Sequence, residues 1–139
     1  MSDDALKAAC AVVTAYLERS MVPDPEGAAK FTSPDLKIVF TGGRQFSQPA
    51  QTAGFNAKRY LWVKKRPLQM DAVLDPKTKD VRVYSTGHLY GAWPDGTPFD
   101  GNRYMDTFVV RGGLIVETQV WNDSAEWILD RAGLAEAPL

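Results

Sequence analysis

The feature that most constrains this chain is a change of period partway along it. Four segments in its second half, Gln69 to Leu74, Val81 to Trp93, Asn102 to Arg111 and Leu114 to Trp121, alternate apolar and polar residues. That period of two marks strands with one buried face. Turn residues at Asp75-Pro76, Asp95-Gly96 and Gly112-Gly113 separate them, so consecutive strands are expected to run antiparallel. The first half has a different rhythm. Between Asp3 and Arg19, apolar residues fall at Leu6, Ala9, Cys10, Val13, Tyr16 and Leu17, the spacing of one buried helical face. Asp3 and Asp4 complement the positive end of that helix.

The rest of the first half is punctuated by proline and glycine. Pro23 and Pro25 end the first helix and open a short second one over Glu26 to Phe31, which Pro34 closes. Leu36 to Thr41 reads as a strand ended by Gly42-Gly43. Thr52 to Arg66 reads as a third helix stopped by Pro67. Its core contacts are expected at Phe55, Leu61 and Trp62, with Lys58, Lys64 and Lys65 in water. Ser124 to Arg131 reads as a last helix carrying Trp127 and Ile128. Helices segregated from antiparallel strands predict an α+β fold rather than a doubly wound sheet. A length of 139 residues fits a single domain spanning 1–139.

Charge and composition exclude several partner classes. Sixteen Lys and Arg against seventeen Asp and Glu leave a net charge of −1, which recruits neither nucleic acid nor an anionic membrane. The densest basic patch, Arg59, Lys64, Lys65 and Arg66 around Trp62, reads as a solvated helix face. No apolar run approaches the ~18 residues of a membrane span, and the acidic N-terminus is unlike a signal peptide. The single Cys10 has no intrachain partner and suits a reducing compartment, so a cytoplasmic location is expected. One His and one Cys cannot make a zinc set, and no metal or cofactor is expected.

The stretch Gly87-His88-Leu89-Tyr90-Gly91-Ala92-Trp93-Pro94-Asp95-Gly96, followed by Asn102 to Glu117 with its Asp106-Thr107-Phe108 and Leu114-Ile115-Val116-Glu117, resembles the C-terminal half of SnoaL-like domains. With the helical N-terminal half, the resemblance covers nearly the whole chain. It implies the nuclear transport factor 2-like fold, a cone-shaped curved antiparallel sheet wrapped around N-terminal helices with an internal pocket. The phenazine-biosynthesis A/B proteins are similar over the same strands, including a pair like Gly87-His88.

Val12 to Tyr16 and Met105 to Phe108 are also similar to the two segments that carry the oxyanion hole of the steroid isomerases. By that match Tyr16 and Asp106 take the places of a Tyr and a protonated Asp that hydrogen-bond a substrate oxygen, an arrangement known for keeping a carboxylic acid neutral. The isomerase base would fall near Phe40 or Thr41, and the phenazine-type carboxylate near Val120. None of these three side chains serves as a base at neutral pH.

Read without the resemblance, Asp106 is still the anomaly. It alternates in phase with Tyr104, Phe108 and Val110, so a carboxyl group lies on an apolar strand face. Two environments fit that placement: a pocket where burial raises its pKa, or a buried ion pair with Arg44, Arg82 or Arg103 that lowers it. Tyr16 sits on the buried face of the first helix, with its hydroxyl bound to the core or to the pocket. His88 is the one side chain with an ordinary pKa near neutrality and a third catalytic candidate. Its phase with Tyr84, Thr86 and Tyr90 opposes Val83 and Leu89. Cys10 reads as a small core residue. Tyr104, Phe108, Val120, Trp62 and Phe40 are the expected pocket wall, while Trp93, Phe99 and Trp121 suit core or wall alike.

These readings lead to a small cofactor-independent enzyme, an isomerase, lyase or cyclase, acting on a hydrophobic aromatic or polycyclic metabolite. The competing reading is a non-catalytic small-ligand-binding or assembly module of the same fold. A homodimer is expected through the convex sheet face, where Trp121 and Tyr90 point away from the pocket.

Overall fold

The structure is a computed structural model that describes residues 2–135 and 137–139. Helix α1 (Ser2–Met21) and helix α2 (Pro25–Ala29) lead into strand β1 (Thr32–Val39), a single 3-10 turn (Thr41–Gly43) and strand β2 (Gln45–Phe46). Helix α3 (Pro49–Arg59), strands β3 (Trp62–Leu74), β4 (Val81–Ala92), β5 (Pro98–Arg111) and β6 (Leu114–Asn122), and helix α4 (Ser124–Arg131) complete the chain. The six strands form one curved, open sheet in the order β2-β1-β6-β5-β4-β3. Its pairs are antiparallel except β1 with β6, which run parallel.

Local chemistry explains the elements. Asp24 accepts a hydrogen bond from the Gly27 N–H at 2.9 Å and starts α2, with Pro25 at its first position. The Gln51 side chain accepts from the Gln48 N–H at 3.0 Å and anchors the start of α3. Gly112 and Gly113 both have positive φ, 58° and 80°, which permits the tight turn from β5 to β6.

One face of the sheet is covered by helix. Val13, Leu17, Ala9 and Tyr16 of α1 pack against Ile38, Val83, Phe108 and Ile115. Each fully buried Val, Leu or Phe there contributes about 1.5–3 kcal/mol of transfer free energy. A second cluster joins Tyr60, Leu89, Trp93, Phe99 and Tyr104 at one end of the sheet, where the Trp93 and Phe99 rings stack with centroids 4.3 Å apart.

The expected third helix is corrected by the structure. It ends at Arg59, and residues 62–66 begin β3 instead. Tyr60 turns the chain with extended dihedrals (φ −126°, ψ 148°) while its N–H closes the last helical hydrogen bond. Leu61 and Trp62 are therefore exposed, by 62% and 45%, rather than core contacts. Pro67 is not a helix stop. It lies inside β3 at a register shift, tolerated because β3 is an edge strand. Likewise Pro34 falls within β1, at its register shift, and β1 starts at Thr32 rather than Leu36.

The basic patch dissolves with that helix. Lys65 turns inward, while Arg66 pairs with Asp100 at 2.8 Å and lies over the Tyr90 ring.

Candidate functional site

Strand β5 presents Tyr104, Asp106 and Phe108 to the inner face, as their phase requires. Asp106 is only 1% exposed and pairs in register with Ser85 on β4 and Val120 on β6. Its carboxylate is met by none of the three expected arginines. Arg103 is paired with Asp123 at 2.6 Å, Arg44 donates to the Thr41 carbonyl at 2.8 Å, and Arg82 faces Asp75 and Asp80.

The partner is Lys65, whose ammonium donates to Asp106 Oδ2. The same ammonium lies 4.9 Å from the centroid of the Tyr104 ring. Oδ1 of Asp106 is buried and has no hydrogen-bond partner. Burial pushes the Asp106 carboxyl above its ordinary value of 3.8, with the Lys65 charge and hydrogen bond pulling the other way. The ion pair is thus with a lysine and not with one of the expected arginines, and burial sets the direction of the shift.

Asp106 is one of the residues that line a cavity of about 90 Å³. Tyr16, Phe40, Phe108 and Val120, all expected pocket residues, line it together with Lys65 and Asp106. Tyr16 packs edge-on against Phe108 with centroids 5.9 Å apart. Burial and the nearby Asp106 charge push its hydroxyl up to about 12, so it stays protonated and able to donate. Thr118 Oγ1 is a second buried polar atom without a partner on this cavity.

Other expected residues lie elsewhere. Tyr104 shares the strand face of Asp106, but its ring belongs to the aromatic cluster and its hydroxyl sits 3.0 Å from Ser85 Oγ. Trp62 is at the mouth of a neighbouring groove rather than in the cavity wall. His88 occupies the opposite sheet face, beside Leu68, Met105 and Trp121 in a shallow depression, because its residue parity on β4 opposes that of Val83 and Leu89. The structure thus brings Tyr16 and Asp106 together and leaves His88 apart. Cys10 packs against the core, and burial raises its thiol pKa.

Sequence reasoning missed Lys65. The signal was present in the alternation of Trp62, Val63, Lys64, Lys65 and Arg66, where odd-numbered residues turn inward once the segment is a strand.

Comparison with solved structures fits this geometry. TerC, crystallised with polyporic acid, superposes with a TM-score of 0.70 at 16% identity, covering 87% of this chain and 95% of that one. An NTF2-like protein of unknown function from Burkholderia pseudomallei gives 0.71 at 14% identity, with 94% and 98% covered. A candidate SnoaL-like polyketide cyclase from Jannaschia sp. CCS1 gives 0.69 at 13%, with 95% and 94% covered. No family model and no curated protein sequence matches the chain. The fold is that of the SnoaL-like and nuclear transport factor 2-like proteins.

Proposed function

We propose that this protein is a small cofactor-independent enzyme that rearranges a hydrophobic aromatic or polycyclic ketone, by isomerisation, elimination or cyclisation through an enolate. The observation that carries this reading is a fully buried Asp106 with one carboxylate oxygen unpartnered, on the wall of a cavity that Tyr16 also lines. A carboxylate whose pKa is raised by burial is a stronger base than a free one. In the proposed step, the Asp106 carboxylate takes a proton from the carbon next to a carbonyl, and the C–H electron pair becomes the enolate double bond. Tyr16 donates a hydrogen bond to the enolate oxygen. Asp106 then returns the proton to another carbon in an isomerisation, to the new alkoxide after ring closure, or, in an elimination, to the β-oxygen that departs as the enolate electron pair expels it.

Structural neighbours that are candidate polyketide cyclases support the same chemical class. The fold alone does not choose between catalysis and ligand binding. The discriminating experiment is hydrogen–deuterium exchange of 2-tetralone in heavy water, followed by NMR. Accelerated exchange that drops about 100-fold or more in Asp106→Asn is expected. Absence of acceleration would replace the enzyme with the non-catalytic binding module.

The outer sheet face supports a homodimer. Trp121, Met105 and Leu68 are exposed there by 48%, 39% and 65%, and large apolar side chains gathered on one face mark an interaction surface more often than scattered ones do. No helix among the described residues is long and apolar enough to cross a membrane, and the unpaired Cys10 supports a cytoplasmic location.

A further inference from the structure

Seven of the eight lysines in this chain are exposed, and Lys65 is the exception. The strand alternation of β3 turns it inward, its side chain is 22% exposed, and it lines the same cavity as Tyr16 and Asp106. An ammonium group has three N–H donors. Among the described residues, the one acceptor of a hydrogen bond from this ammonium is Asp106 Oδ2. Its other polar neighbour is the face of the Tyr104 ring, 4.9 Å away at the centroid.

A structural ion pair would fill this place more simply with two apolar side chains, because taking both charges out of water is costly. A lysine on a cavity wall has a second use. As a free amine it is a nucleophile toward carbonyl carbon, and withdrawal from water favours that form. Asp106, 1% exposed, is within reach to take the proton. The transfer turns a buried ion pair into a neutral acid and a neutral amine, so no charge is stranded. Burial already pushes the Asp106 carboxyl above its ordinary 3.8, which suits it to hold that proton.

We infer that Lys65 is a catalytic residue that forms an imine with the carbonyl group of an aldehyde or ketone ligand. The Lys65 ammonium gives a proton to Asp106, and the nitrogen lone pair attacks the carbonyl carbon while the C=O π pair moves to oxygen. Two protons from nitrogen, relayed by Asp106, reach that oxygen, which leaves as water as the nitrogen lone pair closes the C=N bond. The iminium carries the single positive charge the ammonium had, beside an ionised Asp106, so the charge balance of the site is unchanged. Asp106 then takes the proton from the neighbouring carbon, and the C–H electron pair forms an enamine, the nitrogen counterpart of the enolate. Water reverses the sequence and frees the amine. The inference rests on the proposed base role of Asp106 for the last proton transfer, and on the placement of Lys65 for the imine.

The test is reductive trapping of the unaltered protein with sodium cyanoborohydride, which reduces iminium ions and spares ketones, in the presence of acetone or of 2-tetralone. Peptide mass mapping is expected to find an isopropyl or tetralin-2-yl group on Lys65 before any of the seven exposed lysines is labelled. No label on Lys65 with either ketone, or labelling no faster than at the exposed lysines, would overturn the imine. Lys65→Arg leaves a cation beside Asp106 but one that stays protonated. It should reduce the deuterium exchange of 2-tetralone by about 100-fold or more, the scale of a lost catalytic group. If Lys65→Arg exchanges as fast as the unaltered protein while Asp106→Asn does not, the imine falls and the enolate reading stands. If Lys65 is trapped selectively but the unaltered protein accelerates no exchange, the imine stands and the base role of Asp106 falls.

Discussion

Lys65 and Asp106 belong to β3 and β5, with β4 between them, yet their side chains are bonded. The register shows how. Lys65 is level with Leu89 and Asp106 with Ser85, so the diagonal between them crosses the inner face of β4 at Gly87. Gly87 leaves that crossing open.

Filling the crossing should break the pair. A Cβ on Gly87 would collide with the Arg66 carbonyl and come within 2.9 Å of the Tyr104 ring. Gly87→Val is expected to cost about 1–3 kcal/mol through overpacking. It should also abolish Asp106-dependent deuterium exchange. Urea denaturation and the 2-tetralone assay check both, and an active, equally stable variant would contradict the described path.

Stability should carry an Asp106 signature in its pH dependence. The folded-state pKa is raised above the ordinary 3.8, so the native state binds more protons than the unfolded chain in the interval between the two values. Stability from this group is present below the unfolded pKa and is lost as pH rises toward the folded one. The stability of the unaltered protein minus that of Asp106→Asn should therefore decrease from about pH 4 upward. Denaturation curves at half-unit pH steps measure it. A flat or rising difference would show that the ion pair, not burial, dominates.

Asp80 gives the opposite slope. Arg111 donates two hydrogen bonds to it, at 2.9 and 2.8 Å, and holds its carboxyl below the ordinary value. That contribution is present above the unfolded pKa and lost as pH falls through the folded one. Asp80→Asn should cost roughly 1 kcal/mol or less at pH 7 and progressively less as pH falls below the ordinary carboxylate range. A loss that does not shrink as the pH is lowered would refute the assignment.

The outer face can be tested apart from the cavity. Trp121→Glu places a charge on the exposed apolar strip and should convert a dimer to a monomer in sedimentation, leaving the thermal unfolding of the monomer near its original value. A monomeric parent protein at micromolar concentration would remove the dimer.

Much of this fold was legible in the sequence, and the reasons are specific. The helical face around Val13 and Leu17 and the alternation through β4 to β6 are long patterns, each confirmed by many residues. Asp106 stood out because a carboxylate on an apolar strand face is costly enough to need a cause. Residues 60–66 failed for the opposite reason. Lys64, Lys65 and Arg66 are good helix formers, and Pro67 looks like a terminator when the strand edge that accommodates it is unknown. Reading that segment as helix put Lys65 in water and hid the partner of Asp106. The parallel pairing of β1 with β6 was also invisible, since no local pattern reports which strands become neighbours.

That pairing sets the order in which the molecule can be completed during synthesis. Strand β1 (Thr32–Val39) has only the two-residue β2 as a partner until β6 (Leu114–Asn122) is made. On the ribosome, which releases a chain from its N-terminus at ~5–20 residues per second, the apolar face of α1 and the unpaired edge of β1 are therefore exposed for several seconds. A message truncated before Leu114 would yield a chain that cannot seat β1, leaving a hydrophobic fragment for chaperones or proteases to remove rather than a partly working protein.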